Sequence, residues 1–517
     1  MTNCFGKAEN FDAARGDDVA KVVIIGAGMG GMACAARLRA KGHVVSVIEQ
    51  NATWGGKLGA ASFGAHTFDT GPSLLTLPAV YRDLFLKTGK PLEESIEIVD
   101  LDRAFRYQFA DGTTLEMPGS GIAKCADAIG DALGGKSSQE WRDFMNRAAQ
   151  IWAATRKPFL ENELAGWKSL AALTLRVRDL RTIAPGKSLR SLAEQYLSDP
   201  RLITLVDRYA TYTGSDPRQA PAALATIPYI EQNFGAYHVA GGLRSLGAAL
   251  YERCIQLGVT FSFEKDVASI VGETKVQGLT LRTGEFISAD IVVANADAAT
   301  VYQNLLSPAS AKIVKPDTRF LKRNNQSLSG FVMLLALDSK SPNLLHHNIF
   351  FPSDYDDEFN SIFGIGKNKM PVPDPTIYVC NPNDSAMAPA DGESWFVLVN
   401  APRHEPSTGV DWSDPRQQID YQDKILTSLA RQGFDVSDRI RWKKALTPAD
   451  LETQTRAPGG SIYGSSSNGM RSAFMRPTNT TKIEGLFLVG GSAHPGGGLP
   501  LVAMSANIVA DRIGRAN

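Results

Sequence analysis

The first clear pattern along the chain is a short apolar run, Val22 to Ile25, that is rich in β-branched residues and ends directly in a glycine turn. A run of this kind predicts a central strand of a parallel sheet. Small apolar residues continue to Gly42, a residue type that ends helices, and His43 to Ile48 forms a second strand-like run. The pattern therefore predicts a strand–helix–strand unit whose second strand ends at Glu49.

Glycines occupy the turn of this unit. Gly26, Gly28 and Gly31 have the spacing G-x-G-x-x-G, with Ala27 and Gly30 between them. The spacing permits a tight turn, a close approach of the backbone to a pyrophosphate, and close packing of the helix on the strand. Phosphates would lie at the helix N-terminus, where free N–H groups and the helix dipole favour anions. Together with the flanking strands, the turn predicts a dinucleotide site.

Glu49 is the predicted ribose ligand of that site. A carboxylate accepts hydrogen bonds from ribose hydroxyls and repels a 2′-phosphate, so NADP is disfavoured.

A second strand–turn–helix pattern lies near the end of the chain. The apolar run Gly485 to Val489 leads into the glycine-rich turn 490–500, and a helix-like stretch runs from Leu501 to Ile513. Such a turn brings another helix N-terminus and bare backbone amides to a flat, electron-accepting ligand. The turn has no charged residue, which leaves its polar role to backbone dipoles and His494.

Several further segments resemble the bacterial carotenoid desaturase family, also called phytoene dehydrogenase-like. They are RYATYTGSDPRQAPAAL from Arg208, HHNIFF from His346, GGSIYGSSSNGMRSAFMRP from Gly459 and GLFLVGGSAHPGGGLPLV from Gly485. Within the family, the motifs are most similar to those of hydroxycarotenoid 3,4-desaturases and diapocarotenoid oxidases. The resemblance extends from about Lys21 to Ile513.

The resemblance implies that the dinucleotide is FAD, and it adds residues to the site. It implies a GG-R/K motif after the ribose ligand, with Lys57 where the family usually has arginine, and a backbone contact to adenine from the strand that contains Val267. Lys57 can still bring a positive charge near the pyrophosphate, but without the two-pronged geometry of a guanidinium. The site residues added are Gly55, Gly56, Lys57, Gly71, Pro72, Ser73, Val267, Gly490, Gly491, Gly498, Leu499 and Pro500.

The implied fold class is α/β, with a Rossmann-type FAD-binding lobe like that of amine oxidases and Rab GDP-dissociation inhibitors and an inserted α+β substrate lobe. Because the N-terminal and C-terminal turns serve one site, the FAD lobe is discontinuous. The expected boundaries are a flexible tail at 1–20, FAD-lobe segments at 21–99, 234–299 and 451–517, and substrate-lobe segments at 100–233, mostly helical, and 300–450.

Composition agrees with a two-lobed enzyme of the cytoplasm. The chain has 517 residues, a formal net charge of zero and five scattered cysteines without C-x-x-C pairing, and its first 20 residues lack an apolar signal segment. No basic tract with interleaved aromatic residues occurs, so nucleic acid is not an expected partner.

Leu164 to Arg181 is the candidate for docking on a membrane surface, where a polyene substrate is found. Its apolar residues recur at steps of three and four, and it carries Trp167 and four basic residues. The alternative is an ordinary lid helix with its apolar stripe in the core.

The expected reaction is removal of a hydride and a proton from a C–C bond of a long carotenoid, with FAD as hydride acceptor. No second G-x-G-x-x-G follows a strand, which favours a quinone or oxygen over NAD as the final electron acceptor. No metal is expected, since the adjacent His346 and His347 would not face one ion from a regular strand. His494 is the one weak candidate for a catalytic group.

Other functions share these motifs. Terminal oxidation, isomerisation and double-bond saturation of carotenoids use the same scaffold, and amine oxidation is a more distant alternative. A prenyl-lipid carrier related to Rab GDP-dissociation inhibitors would lack flavin, whereas this chain keeps the full glycine frame.

Overall fold

The computed structural model describes residues 19–163, 182–184, 186–315, 317–318, 321, 326–469 and 476–516. Its strands are β1 (Lys21–Ile25), β2 (Val44–Ile48), β3 (Ala60–Phe63), β4 (His66–Asp69), β5 (Ile98–Asp100), β6 (Arg103–Gln108), β7 (Thr114–Pro118), β8 (Tyr237–Val239), β9 (Thr260–Ser262), β10 (Val267–Val271), β11 (Gly278–Leu281), β12 (Phe286–Ser288), β13 (Ile291–Ala294), β14 (Ser329–Leu337), β15 (His347–Phe350), β16 (Ile377–Cys380), β17 (Glu393–Ala401), β18 (Ile440–Leu446) and β19 (Leu486–Leu488).

Its α-helices are α1 (Met29–Ala40), α2 (Ala79–Thr88), α3 (Ile122–Leu133), α4 (Ser137–Thr155), α5 (Leu189–Tyr196), α6 (Pro200–Arg208), α7 (Thr226–Phe234), α8 (Leu243–Gln256), α9 (Ala298–Thr300), α10 (Pro308–Ile313), α11 (Tyr355–Phe363), α12 (Pro415–Arg431), α13 (Pro448–Thr455) and α14 (Leu499–Ile513).

A five-stranded parallel sheet forms the centre of one lobe, in the order β19-β13-β1-β2-β9. Val22, Val23 and Ile24 of β1 have no exposed surface, as the apolar run predicts for a strand covered on both faces. The sheet takes strands from three distant parts of the sequence. It can therefore form only when the start, middle and end of the chain come together.

Helices α1 and α14 pack against each other on one face of this sheet. Ala33 and Ala36 of α1 and Ala503 and Ala506 of α14 are fully buried, and their small side chains let the two helix backbones approach closely. The antiparallel sheet β10-β11-β12 contributes to the core on the other side. The N-termini of α1 and α14 consequently lie near the same edge of the parallel sheet.

A seven-stranded sheet dominates the second lobe, in the order β18-β14-β17-β16-β15-β6-β7. Strand β14, which lies next to the edge strand β18, is buried throughout and pairs with β17 from Ser329 to Leu337. Segment 100–233, which is mostly helical in sequence pattern, supplies β6 and β7 as well as helices α3 to α7. These two strands extend the sheet through the parallel pairing of β6 with β15.

The proposed docking segment Leu164 to Arg181 lies outside the described residues. Among the helices of the described ranges, none is both long and apolar enough to cross a membrane.

Asp69 joins the N-terminal segment to α8. Its two carboxylate oxygens accept hydrogen bonds from the backbone N–H groups of Leu243, at 2.7 Å, and Arg244, at 2.9 Å. The residue before the helix, Gly242, has no side chain to cap it. Asp69 therefore takes the place of a helix cap from a distant part of the chain.

Replacement of Asp69 by alanine is expected to destabilise the protein by about 1–2 kcal/mol, because two backbone donors of α8 lose their acceptor. Thermal unfolding followed by circular dichroism measures this loss. Asp69→Asn keeps one acceptor oxygen and should lose less; equal melting temperatures for wild type and Asp69→Ala would contradict the capping role.

Candidate cofactor and active site

A single cavity of about 610 Å³ runs from the glycine turns of the first lobe to the seven-stranded sheet of the second. Sixteen of the eighteen residues predicted to bind the cofactor line it. They are Gly26, Gly28, Gly30, Glu49, Gly55, Gly56, Lys57, Gly71, Pro72, Ser73, Val267, Gly490, Gly491, Gly498, Leu499 and Pro500. The other two, Ala27 and Gly31, do not line the cavity but belong to the turn that shapes it.

The first glycine turn has no room for side chains. Gly26 has φ +95° and donates its N–H to the Ile48 carbonyl at 2.8 Å. A Cβ on Gly31 would overlap the Gly26 carbonyl oxygen, and one on Gly28 would lie 2.9 Å from Asn295 Nδ2. Bare backbone is therefore a steric requirement here, and it leaves a cradle at the N-terminus of α1 that fits a pyrophosphate.

Asn295, which directly follows β13, connects the two glycine turns. Its Nδ2 donates to the Gly26 carbonyl at 3.2 Å. A Cβ added to Gly30 would lie 2.8 Å from Asn295 Oδ1, and one on Gly490 would lie 2.5 Å from the same atom. The side chain of Asn295 thus fills the space between the N-terminal and C-terminal halves of the cradle.

Glu49 is buried at the end of β2. Its Oε2 accepts a hydrogen bond from the Ala27 N–H at 2.7 Å, and its Oε1 accepts from Asn51 N and Nδ2 at 2.9 and 2.8 Å. These contacts fix the carboxylate at the cavity wall. Because Oε2 accepts only one of these hydrogen bonds, it keeps a lone pair that can accept a hydrogen bond from a ribose hydroxyl.

Lys57 is held in place by hydrogen bonds and is not a mobile cation near a pyrophosphate. Its ammonium donates to the carbonyls of Ser461, at 3.0 Å, and Ile462. Burial lowers its pKa to about 8, against the opposing effect of the Asp297 carboxylate. Lys57 therefore ties the GG-K segment to the chain that follows α13, at the boundary between the lobes.

The Lys57 pKa predicts how stability depends on pH. Because the folded pKa is about 8 and the ordinary value is 10.5, the unfolded chain binds more protons between these pH values, and folding becomes more favourable as pH rises. The melting temperature of wild type minus that of Lys57→Met should increase between about pH 7.5 and about pH 9.5. A constant difference would show that the Lys57 pKa is not lowered.

An arginine serves the C-terminal turn, although the turn itself contains no charged residue. Arg476 donates to the carbonyls of Tyr463 and Gly491, at 2.9 and 3.1 Å, and burial lowers its pKa to about 10. The N-terminus of α14, from Gly498 to Val502, faces the cavity. The expectation that backbone dipoles and a histidine act alone at this turn misses Arg476.

His494 lies away from the cavity. Its Nε2 is 3.0 Å from the Asn162 carbonyl, and burial lowers its pKa to about 4. The imidazole holds the turn against the segment after α4, and this position gives it no contact with a ligand in the cavity. His494 is therefore not assigned a catalytic role.

Polar residues cluster at the substrate side of the cavity. Glu231 accepts hydrogen bonds from the hydroxyls of Tyr209, at 2.6 Å, and Tyr212, at 3.1 Å. Burial raises the pKa of Glu231, and the positive charge of Arg208 opposes that shift. Tyr212 also lines the cavity, whereas Tyr209, Tyr229, Phe234 and Tyr237 are not among the cavity-lining residues.

Hydrogen bonds of Tyr378 connect the seven-stranded sheet to the cofactor side of the cavity. Tyr378 lies in the cavity wall, with its hydroxyl 2.8 Å from Ser73 Oγ and 2.7 Å from His347 Nδ1. Ser73 belongs to the segment that the family resemblance assigns to FAD. Tyr378 therefore links the wall of the second lobe to the segment of the predicted cofactor site that contains Ser73.

The ligand atoms of the two adjacent histidines lie closer together than is expected for neighbouring residues of a regular strand. His346 precedes β15, and ligand atoms of His346, His347 and Cys380 lie within 4.8 Å of one another. Ligands of one zinc ion are about 3.5 Å apart, given bonds of about 2.0–2.3 Å. We assign no metal to this group, whose visible contact is the support of Tyr378 by His347.

A family model for flavin-containing amine oxidoreductases matches residues 29–514. The chain is 34% identical to the 1-hydroxycarotenoid 3,4-desaturase of Flavobacterium sp. (strain P99-3) over 510 residues, covering 96% of this chain and 99% of that protein. It is 30% identical to the 4,4'-diapolycopene oxygenase of Methylomonas sp over 511 residues, covering 96% and 98%.

Solved structures show the same fold. Putrescine oxidase bound to putrescine superimposes with a TM-score of 0.64 at 14% identity, covering 96% of this chain and 99% of that one. An oxidoreductase from Methanosarcina mazei gives a TM-score of 0.62 at 17% identity, covering 95% and 100%. These likenesses confirm the predicted α/β fold class with a Rossmann-type FAD lobe.

Proposed function

Because the chain belongs to the flavin-containing amine oxidoreductase family, and so is an FAD-dependent oxidoreductase, we propose that it is a carotenoid desaturase. In this proposal it removes a hydride and a proton from neighbouring carbons of a long polyene, creating one C=C bond. Support comes from the named activities of its relatives, a carotenoid 3,4-desaturase and diapocarotenoid oxygenases.

The continuous cavity is the observation that carries this proposal. Beyond the glycine cradle, Val332, Phe396, Leu398 and Leu446 of the seven-stranded sheet form an apolar wall, together with the neighbouring Leu328 and Ile462. An apolar wall excludes water and binds a hydrocarbon chain along its length. A polyene end that enters this space comes next to the cradle without leaving the protein.

FAD, when bound, supplies the hydride acceptor. Residues of the chain then have two tasks: the glycine turns and Asn295 hold the cofactor, and the apolar wall places the reacting bond. Orientation of the substrate contributes most of what such a site needs, because the polyene itself delocalises positive charge.

The substrate of the Flavobacterium relative, by its name, carries a hydroxyl on carbon 1 and gains a double bond between carbons 3 and 4. Oxygen and reacting bond are thus two carbons apart. We propose a substrate of this kind, delivered at a membrane surface, with a quinone or oxygen as final electron acceptor and a cytoplasmic, peripherally membrane-associated location.

Anaerobic incubation of the FAD-loaded protein with carotenoids in liposomes tests the activity. Neurosporene, 1-hydroxyneurosporene and phytoene are compared by bleaching of the flavin absorption and by chromatography of the products. Desaturation predicts bleaching together with a product two hydrogens lighter and a longer chromophore. Unchanged substrates with an FAD-loaded protein would overturn the proposal.

Terminal oxidation is the second candidate, because diapocarotenoid oxygenases of Methylomonas sp and Staphylococcus aureus are each 30% identical to the chain. It adds oxygen to a terminal carbon. Incubation with a 4,4'-diapocarotenoid under ¹⁸O₂ distinguishes it, since only oxidation incorporates the label from O₂ into the product.

A further inference from the structure

Arg208 is a buried cation at the wall of an apolar cavity. Its guanidinium carbon lies 5.1 Å from the ring centre of Tyr212, 5.9 Å from those of Tyr107 and Tyr209, and 6.0 Å from that of Tyr378. Burial acts to lower its pKa, but the surrounding tyrosines and Glu231 outweigh burial and raise it, so the group stays charged.

Ring faces stabilise the charge of Arg208 but do not accept its in-plane hydrogen bonds. Within the described ranges, its Nη1 is buried and has no hydrogen-bond partner. A buried guanidinium with an unused donor is costly, and native structures normally satisfy such donors. A ligand oxygen in the cavity would supply the missing acceptor.

Glu231 complements Arg208 in the same part of the wall. Its carboxylate accepts hydrogen bonds from Tyr209 and Tyr212 and has further lone pairs available. A hydroxyl group can accept one hydrogen bond and donate one, whereas a hydrocarbon end can do neither. The pair Arg208 and Glu231 therefore has the polarity that an oxygenated end group requires.

The location of the pair relates it to the reacting bond. Arg208 lies over the ring of Tyr378, and the hydroxyl of Tyr378 contacts Ser73 on the cofactor side. An oxygen bound at Arg208 would consequently belong to the end of the polyene that reacts. The distant end of the chain would extend along the apolar wall.

We propose that Arg208 and Glu231 form an end-group subsite that selects polyenes carrying an oxygen atom next to the reacting bond. The inference rests on the proposed carotenoid-oxidising function and specifies its substrate class. The shared chemistry is a terminal oxygen that accepts a hydrogen bond, which a hydroxyl or an aldehyde can provide. The hydroxyl contacts both residues, and the aldehyde contacts Arg208 alone.

Binding, measured apart from turnover, tests the subsite. Neurosporene, 1-hydroxyneurosporene and a diapocarotenoid aldehyde are titrated in detergent into the FAD-loaded protein under argon, and Kd is read from quenching of protein fluorescence. Wild type should bind the two oxygenated compounds about 10-fold or more tighter than the hydrocarbon, as expected for a charge-assisted hydrogen bond.

Arg208→Met removes the charge and keeps the length of the side chain. It should lose the preference for both oxygenated compounds and keep the Kd for neurosporene. Glu231→Gln should lose the preference for the hydroxyl compound only. Arg106→Met is the matched control: Arg106 is also buried over aromatic rings, those of Phe350 and Phe434, but does not line the cavity.

Equal Kd values for oxygenated and hydrocarbon polyenes in wild type would overturn the subsite, as would an unchanged preference in Arg208→Met. Failure of the proposed function has a different result. If the protein binds with the predicted preference but its flavin is not bleached under anaerobic conditions, the subsite is supported and the desaturase activity is refuted.

Discussion

Replacing Gly31 by valine is expected to yield a protein that is folded in its second lobe but contains no FAD. A Cβ at this position overlaps the Gly26 carbonyl oxygen and lies 3.0 Å from Asn295 Nδ2, so the branched side chain forces α1 away from β1. Overpacking against backbone cannot relax by a rotamer change, and a cost above about 3 kcal/mol means more than about 100-fold weaker binding. The ratio of flavin to protein absorbance after purification, and Kd from FAD titration, measure the loss.

Ala36→Gly in the same helix is the control for simple destabilisation. Ala36 is fully buried, and removing its methyl group weakens α1 by about 1 kcal/mol without adding atoms near the turn. Normal FAD content in Ala36→Gly and none in Gly31→Val is the expected pair of results. Retention of FAD by Gly31→Val would refute the assignment of this turn as the pyrophosphate cradle.

The second large effect is expected from Asn295→Leu. The leucine loses the hydrogen bond to the Gly26 carbonyl and brings a branched methyl group into the space between Gly30 and Gly490. An unpaired buried acceptor costs about 1–3 kcal/mol and the steric overlap adds to it, so FAD affinity should fall at least about 30-fold. Titration of the protein with FAD, followed by fluorescence, measures the change.

Asn381→Leu is the matched substitution in the other lobe. Asn381 is also buried, and its Nδ2 donates to Glu393 at 2.9 Å, but it does not line the cavity. It should lower the melting temperature and leave FAD affinity within about 2-fold of wild type. A comparable loss of FAD affinity in both variants would mean that Asn295 acts only through global stability.

The cradle was predictable from sequence because local rules determine it. A run of four apolar residues, the glycine spacing and Glu49 are contiguous, and each has one common structural interpretation. The same was true of the C-terminal turn, where the helix begins at Leu499, two residues earlier than predicted.

Strands β6 and β7 show where this reasoning fails. Residues 103–118 mix charged and apolar side chains within a mostly helical segment. Strand β7 pairs with β6, and β6 joins the sheet by pairing with β15, about 240 residues later in the chain. Sequence windows contain no information about such a partner, because tertiary packing decides the state of short segments.

Several functional side chains could not be predicted from the sequence, for a related reason. Asn295 and Arg476 act by filling space and donating to distant backbone, and neither belongs to a motif that predicts those contacts. Arg208 and Glu231 are 23 residues apart, and their common position at the cavity wall follows from the packing of α6 and α7 in the second lobe. The signal available in the sequence was an arginine in a segment rich in tyrosine.

Protein synthesis delivers the last strand of the central sheet, β19, about 190 residues after β13. Strand β19 pairs with β13, and α14 covers α1. A nascent chain that stops before residue 486 has the open edge of β13 and the alanine-rich face of α1 exposed, and such edges promote aggregation. We therefore expect chaperones to hold the nascent chain until α14 has left the ribosome, and FAD to be captured only afterwards.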